Sequence, residues 1–368
     1  MLEGTAAIDP VASGQIRIPT KEADAQFEYV YSGWDKEFNE ILEPMIINAA
    51  FTNYLRDYPV YFYNGNELLQ ETREYYGTTA SYHGDESAIK KLVGGEPSDY
   101  YEFAYWRRSP SSYIDEEGNT IELTLSDPIK DTTYFYAEYV FDGYIEDDWT
   151  TIINDENDTY GYGGRKVSTI EYTYRGTPYT DTVEFEIIGK NQDVIANGDG
   201  ERAKLTFRGK ISPSFVMNSN TKEWMGQSTL DGGGWAMSDM REWLNGYEFF
   251  DKLPEELRNG IKEIIKYSDN GYYDYYKKEP NLTETHDKIF IASAEELNAY
   301  SSYYTMPGQG EPYLLFTDNT SRKLDNIYWT RSTAGKYGIH MFCAVDLDGR
   351  ITSIGGGNRC GIVFYFCV

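Results

Sequence analysis

The chain has 368 residues, enough for two or three domains, and its 33 Lys+Arg against 60 Asp+Glu leave a net charge of -27. Such a surface repels phosphate-rich partners, which makes nucleic acid and anionic membranes poor ligands. Aromatic residues make up 16% of the chain and 35 residues are tyrosine, a supply of core and contact area that argues for β-structure rather than disorder.

Residues 1–22 lack periodicity and read as an N-terminal arm. The stretch MLEGTAAIDPVASGQIRIP has neither a basic n-region nor an apolar h-region, so it is not read as a secretory signal. No run approaches the roughly eighteen apolar residues of a membrane span. Synthesis in the bacterial cytoplasm, without membrane insertion, is the expectation.

Short alternating strands begin after residue 22. Phe27, Tyr29 and Tyr31 alternate up to Gly33-Trp34, and Ile47, Ala49 and Phe51 alternate after a loop. Residues 23–55 form one partial module on this reading. A second, full module spans residues 56–141: Tyr58–Tyr63 runs into the hairpin signal Asn64-Gly65, Tyr101, Phe103 and Trp106 recur, and Phe135, Ala137 and Tyr139 close the block. Tyr29-x-Tyr31-x-x-Trp34 over Tyr101-x-Phe103-x-x-Trp106 is an offset of 72 residues, a weak internal repeat in which Ala49-x-Phe51 matches Ala137-x-Tyr139 across an insertion. The pattern resembles the internalin-type B-repeat, a small β-grasp-like module, although Tyr105 stands where that family has Gly before the Trp. The resemblance implies a spacer or adhesive stalk.

The remainder, residues 142–368, mixes strand and helix signals. Trp149–Ile153 is a short amphipathic segment, and strands are predicted at Ser168–Tyr174, Thr182–Gly189 and Ala203–Ile211. Ser238 is placed to cap a helix over Asp239–Leu244. Pro254 opens another, with Leu257, Ile261, Ile264 and Ile265 as its stripe. A strand at Lys288–Ala292 leads into the capping box Ser293-Ala-Glu-Glu296 and a short helix. Strands Ile327–Arg331, His340–Leu347, Arg350–Ile354 and Gly361–Cys367 end the chain. The fold class expected is α+β.

Catalytic chemistry finds little support. His83, His286 and His340 are far apart in the chain, and HExxH, GxSxG, CxxC and a P-loop are absent. Asp155, Glu156 and Asp158 match a Ca²⁺ loop only loosely. Asp346 and Asp348 beside Gly349 read as hairpin-turn residues rather than cation ligands. Cys343, Cys360 and Cys367 are too few and too irregularly spaced for a disulfide framework or a zinc site, and Cys343 and Cys367 read as small core residues. Neither enzyme activity nor a metal or other cofactor is expected.

The last segment, residues 328–368, is distinctive. Two stiff frames, YWTRS and GIVFYFCV, enclose a chemically patternless run, which suits a binding surface carried by a scaffold. Several motifs occur in order before it: Gly233-Gly234-Trp235-x-x-Ser238-x-Met240-Arg241-x-Trp243-Leu244-Asn245, Leu253-Pro254 with Ile261-Lys262, Asp287-Lys288-Ile289-Phe290-Ile291-x-Ser293-x-x-Glu296, and Trp329-x-Arg331-Ser332. With the terminal Gly361–Val368, they resemble the C-type lectin-like variable proteins of diversity-generating retroelements, over residues 142–368. That family varies selected codons, usually of asparagine, inside a fixed frame.

The resemblance implies a variable set. Tyr337, Ile339, His340, Asp346, Leu347 and Asp348 are all reachable from an AAC codon by change at its adenines. So are Arg350, Thr352, Ser353, Asn358, Arg359 and Cys360. Lys336 and Met341 fit a mutable Lys codon, and Tyr365 stands where the family has a small residue. Trp329, Phe342, Val345, Ile362, Phe364 and Phe366 would be the fixed core. The implied function is receptor binding by a phage or prophage tail protein, favouring a homotrimer, with a host-surface protein or glycan as partner and the virion as location. A bacterial cell-surface adhesin of the same architecture is the alternative. A remote one is a formylglycine-generating-type oxidase using Cys343 and Cys367.

Overall fold

The computed structural model describes residues 4–115, 117–219, 233–269, 282–299, 307–334 and 341–368. They divide into two compact units, Met1–Ile89 with Phe103–Val140, and Lys90–Glu102 with Phe141–Val368.

In the first unit, β1 (Phe27–Trp34) and β2 (Ala49–Leu55) pair as an antiparallel ribbon. β3 (Asp57–Asn64) turns into β4 (Glu67–Tyr75) through Gly65, whose φ of +58° is what the Asn-Gly signal supplies. In chain order, β5 (Lys91–Val93) and β6 (Glu96–Ser98) come next and belong to the second unit; β7 (Tyr101–Ser109), β8 (Ser112–Ile114), β9 (Thr120–Glu122) and β10 (Thr133–Phe141) follow. A four-stranded sheet has the order β4-β3-β10-β7, with β3 and β10 parallel. Period-two alternation sends Tyr58, Val60 and Phe62 inward. There Phe62 meets Phe135 and Trp106, each at 4.9 Å between ring centroids. In both halves of the weak repeat, the Trp-bearing strand lies beside the strand carrying Ala-x-aromatic: β1 beside β2, and β7 beside β10.

The second unit contains α1 (Trp149–Ile153), β11 (Arg165–Tyr174), β12 (Thr177–Lys190), β13 (Leu205–Val216), α2 (Asp239–Leu244) and α3 (Glu255–Gly260). These are followed by β14 (Ile264–Asp269), β15 (Leu282–Asp287), α4 (Asn319–Arg322), β16 (Tyr328–Thr333), β17 (Met341–Val345), β18 (Ile351–Gly355) and β19 (Arg359–Cys367). A seven-stranded sheet runs β11-β12-β13-β19-β16-β17-β18, antiparallel except where β16 meets β19. Its core is aromatic: Phe366 stacks on Phe207 at 5.4 Å, with Phe185 and Trp149 edge-on to it. Burial of each such ring stabilises the fold by roughly 1.5–3 kcal/mol.

Among the described residues, strands account for 44% and helix for 9%, so the class is mainly β, not α+β. Two predicted helices explain the difference. The Pro254 helix stops at Gly260, where an added Cβ would lie 2.2 Å from Ile153 Cδ1, so helix and α1 pack too closely for a side chain. Ile264 and Ile265 then belong to β14 and pair with β15. The capping box at Ser293 forms its reciprocal bonds, Ser293 N to Glu296 Oε2 and Glu296 N to Ser293 Oγ, both 3.0 Å. Turns follow instead of a helix, and the chain leaves right-handed helical backbone at Asn298, whose φ is +51°. Lys288–Ala292 is not a strand either; Phe290 makes a single bridge to Tyr365. Ser238 does cap α2, accepting from Arg241 N at 3.1 Å. No helix among the described residues is long and apolar enough to cross a membrane.

Candidate functional site

β16, β17 and β19 are almost wholly buried. Trp329, Phe342, Val345, Ile362, Phe364 and Phe366 all lie in the core, as the sequence predicts. Trp329 Nε1 donates to Phe215 O at 2.9 Å, tying β16 to β13. β18 is the outermost strand of this sheet, half-buried along its length, and it joins the others through two turns.

The first turn joins β17 to β18. Asp346 Oδ1 accepts from Asp348 N at 2.9 Å and Arg350 N at 2.8 Å, so Asp346 builds the turn. Gly349 has a φ of +76°, and a Cβ there would overlap Asn319 O, so only glycine closes this hairpin. Leu347, Asp348 and Arg350 project to solvent, and Arg350 Nη1 lies 3.6 Å from Asp348 Oδ2. The second turn, after Gly355, exposes Asn358 and Arg359. Met341, half-buried, pairs with Gly355 at this same end.

The fifteen candidate positions therefore do not form one patch. The two turns stand at opposite ends of β18, a separation of about 16 Å for five residues at the usual strand rise. Thr352 and Ser353 are half-buried and, as neighbours in a strand, point to opposite faces. Cys360 and Tyr365 are core residues, 4% and 1% exposed, and cannot touch a ligand at the surface. Tyr365 instead stacks on Phe290 at 5.7 Å. Lys336, Tyr337, Ile339 and His340 lie outside the described residues.

Behind the scaffold is a buried ionic network. Lys266 on β14 sends Nζ to Asp193 Oδ1 at 2.5 Å and Glu296 Oε1 at 2.8 Å. Arg331 on β16 donates to Glu296 Oε1 at 2.8 Å, to Glu296 Oε2, to Ile291 O at 3.0 Å and to Gln309 O. Asp193 also accepts from Thr206 Oγ1 at 2.5 Å, from Tyr313 OH at 3.0 and 3.1 Å, and from Cys367 Sγ at 3.4 Å. All nine residues are buried. The two cations offset the two carboxylates, so the network is electrically neutral. Burial opposes the charge on Glu296, but Arg331 and then Lys266 hold its carboxyl below the ordinary range. Burial likewise opposes the Lys266 ammonium, and Asp193 and Glu296 outweigh it, raising that pKa.

Another buried carboxylate, Asp287, accepts from Trp235 Nε1 at 2.9 Å, Arg241 Nε at 2.6 Å and Thr285 Oγ1 at 2.7 Å. Asn245 clamps the next residues, accepting from Lys288 N and Ile289 N and donating to Ile289 O. The ordered motifs at Gly233–Asn245 and Asp287–Glu296 are thus knit to each other and to β16. Sequence reasoning marked Arg331 and Glu296 as motif members but missed Asp193 and Lys266. The signal available was a lysine between apolar residues in Ile264-Ile265-Lys266-Tyr267.

The thiols have different surroundings. Cys343 donates to Thr333 O at 3.4 Å beside Ala334. Cys367 lies against Thr206 and Asp193. Burial pushes the Cys360 thiol up to about 12 and also raises those of Cys343 and Cys367 well above the ordinary thiol range. Among the described residues, no group of three or more His, Cys, Asp or Glu is arranged to hold a metal ion.

Fold and site together define a mainly β protein whose terminal strands form a buried frame for short exposed turns. Residues 213–367 match a family described as Domain of unknown function (DUF6273). No curated protein and no solved structure matches the chain.

Proposed function

We propose that the protein binds a ligand or receptor through diversified positions of its terminal segment, as the resemblance to retroelement variable proteins implies. The observation that carries this reading is the contrast within residues 328–368. Leu347, Asp348, Arg350 and Asn358 are exposed on turns and Arg359 at the start of β19, while β16, β17 and the rest of β19 are almost wholly buried. Side chains on such turns can be exchanged with little effect on folding, because surface substitutions usually change stability by no more than about 0.5 kcal/mol. The described positions supply two small contact regions, one at each end of β18. Weak individual sites of this kind gain avidity when several copies are held together, by roughly 10²–10⁴, which favours a homo-oligomer and a trimer in particular. A phage tail protein contacting a host-surface protein or glycan fits this arrangement. A bacterial surface adhesin uses the same physics.

The test is attachment of the purified chain to a glycan array and to intact bacterial cells. One variant carries Leu347→Ala, Asp348→Ala and Arg350→Ala; another carries Asn358→Ala and Arg359→Ala. Loss of attachment in either variant with an unchanged melting temperature is expected. Attachment that survives in both would exclude these turns as the contact surface. Diversification has its own genomic test: a near-copy of the DNA for residues 328–368, differing at adenines and lying beside a reverse transcriptase gene. A source genome without that copy refutes diversification while leaving binding open.

A further inference from the structure

Lys266 and Asp193 form a buried ion pair whose side chains are also close enough to be joined by a bond. Nζ is 2.5 Å from Asp193 Oδ1. With a carboxyl C–O bond of about 1.2 Å, the amine therefore lies within about 3.7 Å of the carboxyl carbon, close to the roughly 3–3.5 Å of a near-attack arrangement. Both side chains are buried, and Phe290 covers the amine, its ring centroid 4.0 Å from Nζ. Thr206, Tyr313 and Cys367 all donate to the Asp193 oxygens. Preorganised donors of this kind stabilise the negative charge that develops on oxygen when a nucleophile adds to a carboxyl carbon. Glu296 Oε1, 2.8 Å from Nζ, is within reach to accept a proton and return it.

We infer that Lys266 and Asp193 join in an intramolecular isopeptide bond, with Glu296 as the proton carrier. The Nζ–Cγ bond forms and one Cγ–O bond of Asp193 breaks. The ammonium gives up two protons, which leave with the carboxylate oxygen as one water molecule. One positive and one negative charge vanish together, nothing is oxidised or reduced, and no co-reactant is consumed. Removing two buried charges favours the product, since desolvation makes a buried ion pair costly to maintain. The Arg331–Glu296 pair left behind is itself neutral. Asp193 rather than Glu296 is the acyl partner because Arg331 engages both Glu296 oxygens and Ser293 N holds Oε2 as well. The bond would link the segment between β12 and β13 to β14, closing a span of 73 residues. It is independent of the ligand-binding reading.

The intact mass of the full chain, measured in denaturant, tests this directly. The expected value is the sequence mass less one water. Trypsin should fail to cut after Lys266 and should release a branched peptide in which fragmentation places the link between Lys266 and Asp193. Lys266→Arg and Glu296→Gln chains are expected at their full sequence masses. A wild-type chain at full sequence mass would leave the contact an ion pair and overturn the proposal. So would a water loss that maps to other residues or persists in Lys266→Arg. Cross-linking that persists in Glu296→Gln would remove Glu296 from the mechanism.

Discussion

Replacing Arg331 with Met keeps the side-chain volume close to native and removes the guanidinium. Arg331 is 0% exposed. Its loss leaves Glu296 without the partner that engages both of its oxygens, and strips a donor from Ile291 O and Gln309 O. Breaking a buried pair by removing one member costs about 3–5 kcal/mol, and each orphaned buried acceptor adds about 1–3 kcal/mol where relaxation cannot repair it. These costs are not additive, so a loss of about 4 kcal/mol is expected, a large part of the 5–15 kcal/mol typical of a folded protein. The assay is urea unfolding followed by tryptophan fluorescence, with Arg350→Ala as the matched control. The Arg350 side chain is 67% exposed, so that variant should stay within about 0.5 kcal/mol of wild type. Adding Glu296→Gln to Arg331→Met should recover part of the loss, because the uncompensated charge goes with it. An Arg331→Met chain within about 1 kcal/mol of wild type would refute this view of the network.

Native protein should not react with an alkylating reagent near neutral pH, since all three thiols are buried and their pKa values raised. Three additions should appear only after unfolding, and rapid labelling of a native thiol would contradict the burial. Acid should weaken the fold through Glu296, whose ordinary pKa of 4.5 is lowered in the folded state despite its burial, chiefly by Arg331. Its contribution is complete above pH 4.5 and is lost as the pH falls through the lower folded value. Urea midpoints measured across that range should fall more steeply for wild type than for Glu296→Gln. Parallel profiles would remove Glu296 as a source of acid sensitivity.

Much of the local structure was legible in the residues themselves. The Asn64-Gly65 hairpin, the Ser238 cap and the alternation of Tyr58, Val60 and Phe62 depend on interactions a few residues long, so the local pattern carries the signal. The errors came where a local signal competed with a distant partner. Ile264 and Ile265 continue a helical stripe, yet β15 offers them a ladder and Gly260 ends the helix against α1. Ser293 and Glu296 make their capping box, yet the chain turns away at Asn298, and Arg331 and Lys266 hold the same carboxylate. Tyr365 and Cys360 look variable in a sequence of mixed chemistry, but their neighbours on β13, and Phe290 beside Tyr365, enclose them.

By itself, the sequence determined the strand-rich character of residues 23–141, the core identity of Trp329, Phe342, Phe364 and Phe366, and the turn chemistry of Asp346–Arg350. Each follows from residue type, period and short-range hydrogen bonding. Only the tertiary structure decided that the exposed candidates divide between two ends of β18, because sheet order and register are set by contacts between distant segments. It also decided that Asp193, Lys266, Glu296 and Arg331 meet. Charges so far apart in the chain are brought together by the packing of the elements that carry them, and no local pattern shows which of them pair.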